Sequence, residues 1–244
     1  MKFLIIGASS GLGRSLSEAL AASGHDLVLV ASDERDLSVQ CADLSLRYHG
    51  MIVPVACHID PRNQWLDAFK DRMSMMTDLD GIFFPLGWSS DRDSVALDSE
   101  HVDALVESNF SAIVKIVSLF LNHFLARGRG SIVGFGSVAS LRGRSNNVVY
   151  AAAKRALSSY FESLRHALAN TQIRVQFYQL GYVDTPRNFG KRFLFPQGDP
   201  KIAAKRVMKN LHRDFGRVFF PRFWFIIQYV VRWLPWRIFK RLNF

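Results

Sequence analysis

Along the first three quarters of the chain, short apolar runs alternate with longer stretches of helical period. Lys2 to Ile6, Asp26 to Ala31, Met51 to Ala56, Asp80 to Leu86, Gly130 to Phe135 and Ile173 to Gln179 read as buried strands. Between them, helices are expected from Leu12 to about Ser23, from Leu37 to Tyr48, after Asp60-Pro61, from Ser99 to about Leu125 and from about Val149 to Ala169. Pro61 suits the first turn of its helix, where no N–H is needed. Strands alternating with helices predict an α/β fold, a doubly wound parallel sheet with helices on both faces.

The last quarter breaks this rhythm. Arg217 to Pro221 is expected to form a last strand. The run Phe223 to Leu234 is apolar but interrupted by Gln228 and Arg232. It falls short of the roughly 20 residues a bilayer-spanning helix needs. Pro235 should separate it from a second short helix. Its wheel is not cleanly two-faced. Charge also divides the chain: residues 1–186 carry 17 Lys/Arg and 19 Asp/Glu, whereas residues 187–244 carry 14 and 2. A nearly neutral body with a basic end points to an anionic partner. Nucleic acid is not expected, because the basic residues are interleaved with bulky apolar ones and no recognition motif is present. Trp, Phe and Arg together have the composition of an interfacial membrane anchor. Packing of the segment on the body, or on a second copy in a homodimer, stays open.

With 244 residues, 49% of them hydrophobic, the chain suits one domain with a sizeable core. Cys41 and Cys57 make no disulfide framework and fit a reducing compartment, so a cytoplasmic location, peripheral to a membrane, is expected. The N-terminal apolar run is too short for a signal peptide. The seven histidines have no spacing suggestive of a metal site, and no metal is expected. Asp91 and Asp93 read as a solvated loop, and Met73, Met75 and Met76 as helix packing.

The chemistry starts at the first strand, which runs into Gly7, Ala8, Ser9, Ser10, Gly11, Leu12 and Gly13. Strand, glycine loop and helix form the context of a Rossmann-type dinucleotide site. The glycines let the backbone approach a pyrophosphate, and the helix start offers free N–H groups and a positive dipole end. At the end of the second strand, where an acidic residue would bind the ribose of NAD, stand Ala31 and Ser32. With no carboxylate to repel a 2′-phosphate, and with Ser32, Arg35 and Arg14 as donors, NADP(H) is favoured over NAD(H), which stays open. Further on, Tyr150 and Lys154 lie four residues apart, on one helix face. The ammonium can favour the phenolate, which makes the tyrosine a usable general acid/base. In a parallel sheet the loops that hold Gly7, Gly87, Ser137 and Gly181 gather on one edge, with Tyr150 at the start of the next helix.

These motifs resemble the short-chain dehydrogenase/reductase family over roughly residues 1 to 190. Gly7 to Gly13 is similar to T-G-x-x-x-G-x-G, with Ile6 in place of threonine. Tyr150 and Lys154 match Y-x-x-x-K, Ser137 has the family's serine spacing, and Asn109 matches the asparagine of the long fourth helix. The resemblance implies hydride transfer between a nicotinamide and a carbonyl or alcohol carbon. It implies that Tyr150 moves the proton and Ser137 steadies the developing alkoxide. Lys154 would hold the nicotinamide ribose, and Asn109 would support a proton path. It assigns cofactor contacts to Gly7, Ser9, Ser10, Gly11, Leu12, Gly13, Ser32, Arg35, Gly87, Tyr150, Lys154, Gly181, Val183 and Thr185.

Three places depart from the pattern. N-N-A-G appears as Phe84-Pro85-Leu86-Gly87, the adenine-side aspartate falls at Cys57 with Asp60 later, and P-G appears as Leu180-Gly181. Beyond that glycine, Val183, Thr185 and Pro186 match the family again. The departures motivate an alternative, a cofactor-sensing or scaffold protein of the same fold with weak catalysis. The chain divides into a dinucleotide-binding and catalytic domain, residues 1–216, and a last strand with a basic aromatic extension, residues 217–244. A substrate lid is expected over about 187–200. There Arg187, Lys191 and Arg192 suit an anionic head, and Phe189, Phe193 and Phe195 an apolar body. Members with similar tails resemble reductases of lipid-linked sugars, so a small-molecule or lipid-linked carbonyl substrate is expected.

Overall fold

The computed structural model describes the chain apart from residues 10, 63, 75, 77, 96, 186, 187, 189, 191–193, 243 and 244. Its elements run β1 (Lys2–Ile6), α1 (Gly11–Ala22), β2 (Asp26–Ala31), α2 (Glu34–Arg47), β3 (Ile52–Ala56), α3 (Gln64–Met73), β4 (Gly81–Phe84), α4 (Ser99–Val106), α5 (Ala112–Arg127), β5 (Arg129–Ser137), α6 (Val148–Ala167), β6 (Gln172–Leu180), α7 (Pro200–Asn210), β7 (Arg217–Phe220), α8 (Trp224–Trp233) and α9 (Trp236–Phe239). The strands form one sheet in the order β3-β2-β1-β4-β5-β6-β7, and every pairing is parallel.

Alternate residues of each strand feed opposite faces, as the pleat dictates. Leu4, Ile6, Val28 and Val30 pack with Phe69 of α3, Ile113 and Phe120 of α5 and Phe161 of α6. Phe3, Ile5, Leu27 and Leu29 pack with Leu16 and Leu20 of α1, Leu37 of α2 and Val207 of α7. Strands buried on both faces explain why their sequences are continuous apolar runs. The stretch Ser99–Arg127 is long and apolar enough to cross a membrane. Here it buries Ile113, Ile116, Val117 and Phe124 in the protein core instead.

Several sequence expectations shift. Asp60-Pro61 does not open a helix. The Asp60 carboxylate accepts from Arg62 N at 2.8 Å in a turn, and α3 starts at Gln64. β4 stops at Phe84, before Pro85, which has no N–H to continue the ladder. The helix from Ser99 is divided by a π-helical turn, Glu107–Ser111. α7 carried no expectation from the sequence. It is capped by Asp199, whose side chain accepts from Lys201 N, and begins with Pro200. β7 pairs with β6, and the chain beyond it forms two helices divided at Pro235.

Candidate active site

The strand order reverses between β1 and β4, and ligands of such sheets bind in the crevice at that point. The loop after β1 is built for close backbone approach. Gly7 has φ +92°, and a Cβ there would lie 3.0 Å from Leu86 Cα. A Cβ on Gly13 would lie 1.9 Å from Gly7 O, so the start of α1 abuts the strand end with no room for a side chain. Behind the loop, buried Gln40 donates to Ala8 O at 3.2 Å. In front, Thr185 Cγ2 would be 3.0 Å from a Cβ on Gly11, which places Thr185 over the loop. Leu12 is buried, and Ser9 O accepts from Arg14 Nε and Nη2 at 3.0 and 2.9 Å. Ser10 lies outside the described residues, as do Pro186 and the lid residues Arg187, Phe189, Lys191, Arg192 and Phe193.

A cleft of about 720 Å³ runs from Gly7 and Ser9 past Ala31 and Ser32 toward Gly87. Ala31 and Ser32 leave the end of β2 without a carboxylate, and Arg35 is exposed in the first turn of α2. Arg14 is also engaged elsewhere, since its Nη2 pairs with Asp36 at 2.8 Å. The cleft is further lined by Arg62, which sequence reasoning did not single out, and by Cys57. Burial pushes the Cys57 thiol up to about 11, so it lines the cleft as a neutral group. The backbone cradle, the start of α1 and a cleft of this size fit a dinucleotide.

Two of the predicted catalytic side chains, Lys154 and Asn109, meet at Gly87. Lys154 is buried, and its Nζ donates to Leu86 O at 3.1 Å and Phe135 O at 3.3 Å, carbonyls just beyond β4 and near the end of β5. Asn109 is fully buried in the π-helical turn. There Ala112 N reaches Glu107 O, and Asn109 Nδ2 takes the Leu105 carbonyl at 2.9 Å. The same Nδ2 donates to Trp88 O at 2.5 Å, and Oδ1 accepts from Trp88 N at 3.2 Å. A Cβ on Gly87 would lie 3.0 Å from Lys154 Nζ and 3.1 Å from Asn109 Oδ1. A side chain at Gly87 would therefore press on the Lys154 ammonium and the Asn109 amide.

Tyr150 stands in the first turn of α6, one turn before Lys154. The N-cap Asn147 is left-handed, φ 58°, and caps nothing with its side chain. Instead the Asp93 carboxylate accepts from Val149 N at 2.9 Å and Tyr150 N at 2.8 Å, and Asp93 O accepts from Asn147 N at 2.9 Å. Asp93 is 3% exposed, which corrects its reading as a solvated loop residue. It stands 57 positions before Tyr150, beyond the reach of any local capping pattern. Ser137 ends β5. Its carbonyl accepts from Gln179 Nε2 and from Ser140 Oγ, the latter at 2.6 Å. Gln179 is buried and unanticipated, a polar residue inside an apolar strand that also donates to Ser140 Oγ at 2.9 Å.

After β6, Gly181 N donates to Phe220 O at 2.7 Å, and the Trp224 indole fills the space a side chain would take there. Val183 bridges to Gly198 and leads to Thr185. Of the predicted residues that are described, Gly7, Ser9, Ser32 and Gly87 line the cleft, Lys154 and Asn109 meet at Gly87 and Thr185 stands beside Gly11, whereas Arg14 and Arg35 are not among the cleft's lining residues.

Residues 2–192 match the family model described as short chain dehydrogenase. An uncharacterised oxidoreductase of Mycobacterium tuberculosis is 28% identical over 246 residues, covering 99% of this chain and 92% of the relative. Solved structures share the fold. A short-chain dehydrogenase from Sphingobium yanoikuyae in complex with NADPH superposes with a TM-score of 0.83 at 23% identity, covering 94% of this chain and 92% of that one. A 3-oxoacyl-[acyl-carrier protein] reductase from Brucella melitensis with bound NAD gives 0.76 at 21%, covering 89% and 88%.

Proposed function

This chain belongs to the short-chain dehydrogenase/reductase family, and from that premise we propose that it is an NADP(H)-dependent reductase of an apolar or lipid-linked carbonyl compound. The observation that carries the reading is the meeting of Lys154 and Asn109 across Gly87, one helical turn from Tyr150. A bound nicotinamide nucleotide supplies the hydride. The N–H groups at the start of α1 and the glycine cradle hold the pyrophosphate. Lys154, fixed by two carbonyls, holds the nicotinamide ribose and stabilises the phenolate that Tyr150 leaves on giving its proton to the substrate oxygen. Ser137 donates a hydrogen bond to that oxygen as its charge develops. Asn109 ties the loop after β4 to the π-helical turn, so that Gly87 stays beside Lys154.

Replacing Tyr150 by Phe removes the proton and little else. We expect kcat to fall on the order of 10³-fold while NADPH affinity falls by far less, in single-turnover and binding assays. Cellular function that survives Tyr150→Phe would instead favour the cofactor-sensing scaffold. For the cofactor, nicotinamide fluorescence titration should give NADPH roughly tenfold or more tighter binding than NADH. Equal affinities would overturn the argument from Ala31, Ser32 and Arg35. For the substrate, Phe195 meets Trp224 and Phe223 at centroid distances of 4.9 and 6.2 Å and forms an apolar wall at the end of the lid. Long-chain carbonyl compounds should be reduced with higher kcat/KM than small soluble ketones, and the reverse ranking would remove the lipid-linked reading.

A further inference from the structure

A surface helix normally turns its polar side to water. α8 does not. Trp224 is its buried residue, seated against Gly181, with Tyr182 at 5.7 Å and Phe195 at 4.9 Å between ring centroids. Ile227, Gln228 and Val231 are half-buried on the same side. Facing outward are Phe225, Ile226, Tyr229, Val230 and Trp233, 53, 68, 52, 62 and 78% exposed. All five are apolar or aromatic, and they occupy a continuous stripe because they recur at helical spacing. Trp236 and Ile238 of α9, 66 and 51% exposed, extend the patch. Contiguous apolar area of this kind marks a docking surface.

The surroundings of the patch say which partner it fits. Residues 217–244 carry six Lys/Arg and no Asp/Glu. Arg222, Arg232, Arg237, Lys240 and Arg241 are exposed around it. Arg155, Arg217 and Arg232 line a recess of about 250 Å³ beside α8, where Glu162 is the only carboxylate among the lining residues. Trp at the boundary, aliphatic side chains between and a rim in which basic residues far outnumber the one carboxylate complement an anionic lipid surface. A second copy of the chain would bring the same positive rim against its own.

The patch is also tied to the segment between Ser137 and Tyr150. Arg142, between Ser137 and Tyr150 in the chain, donates from Nη1 to Val231 O at 2.8 Å and Leu234 O at 2.5 Å. Its guanidinium carbon stands 3.9 Å from the centroid of the buried Phe239 ring. Together with Trp224 against Gly181, this fixes α8 and α9 beside the loops that come after β5 and β6.

We propose that the outward faces of α8 and α9, with their arginine rim, dock the protein on an anionic lipid bilayer and set the substrate entrance at its surface. Only the placement of the substrate entrance rests on the function proposed above. Flotation of the full-length protein with vesicles tests the docking itself. Wild type should float with phosphatidylcholine vesicles that contain roughly 30% phosphatidylglycerol, and on the order of tenfold less with phosphatidylcholine alone or in high salt. Ile226→Glu/Val230→Glu should stay unbound while keeping its NADPH affinity. Arg237→Gln/Lys240→Gln/Arg241→Gln, which leaves the apolar face intact, should bind anionic vesicles about 100-fold more weakly.

Wild type that fails to float with anionic vesicles overturns the proposal, as does Ile226→Glu/Val230→Glu that floats like wild type. A dimer in light scattering that this variant disperses, without flotation of wild type, would make the face an interface between copies. Flotation without NADPH binding would sink the cofactor reading and leave docking standing.

Discussion

α1 and α8 both start beside loops at the C-terminal ends of the strands, and their outer faces differ completely. α1 buries Leu12, Leu16, Leu20 and Ala21 and turns Arg14 and Glu18 outward, where they pair with Asp36 and Arg47. α8 buries Trp224 and turns Phe225, Ile226, Tyr229, Val230 and Trp233 outward. The amphipathic pattern of α1 reads directly as one packed side and one wet side. α8 is two-sided as well, but its polar line, Gln228 and Arg232, meets the recess beside Arg155 and Arg217, and its apolar residues are left facing outward. The periodicity of α8 is present with its sense reversed: the polar line meets the protein and most of the apolar side faces outward.

Substitutions on the two helices should sharpen this contrast. Gly13→Val is expected to have the largest effect. A side chain 1.9 Å from Gly7 O must displace backbone, so unfolding or a loss of at least about 3 kcal/mol in chemical denaturation should accompany loss of NADPH binding. Next comes Trp224→Ala on the inner side of α8, at about 3–5 kcal/mol. Asp93→Ala should cost about 1–2 kcal/mol, the range of a lost N-cap. It should also lower kcat more than it raises KM, since the first turn that carries Tyr150 loses two of its acceptor contacts. Val230→Ser, on the outer side of α8, should change stability by no more than about 0.5 kcal/mol in the absence of lipid. If it cost as much as Trp224→Ala, the outer face would be packed in the free protein, and the contrast with α1 would disappear.

How much of the molecule could be read from the sequence depends on the range of the interaction involved. The strands from Lys2 to Leu180, the glycine loop, and Tyr150 with Lys154 are set by local runs and fixed spacings, so they were legible. The break at Pro235 was legible for the same reason, since the ring acts on its own neighbours. Asp93 and Gln179 were not, because each supports a main-chain group 57 or 42 positions away. The loss of N-N-A at Phe84 to Leu86 looked like decay of the site. In the structure Gly87 lies beside Lys154 and Asn109, and its neighbours Leu86 and Trp88 meet those two side chains through their main chain. α7 escaped notice because its buried face, Ala203, Ala204 and Val207, is made of small residues that give a faint apolar signal.

Arg142 belongs to two parts of the molecule at once. Its chain position is in the segment between Ser137 and Tyr150, and its guanidinium holds the last carbonyl before Pro235 and the ring of Phe239. Thermodynamic linkage then works in both directions. Any coupling between a ligand of that segment and a contact on the C-terminal helices is reciprocal, each changing the affinity of the other by the same factor. Leu234 is therefore not a neutral place to cut: a chain shortened before it takes a contact away from the segment between Ser137 and Tyr150.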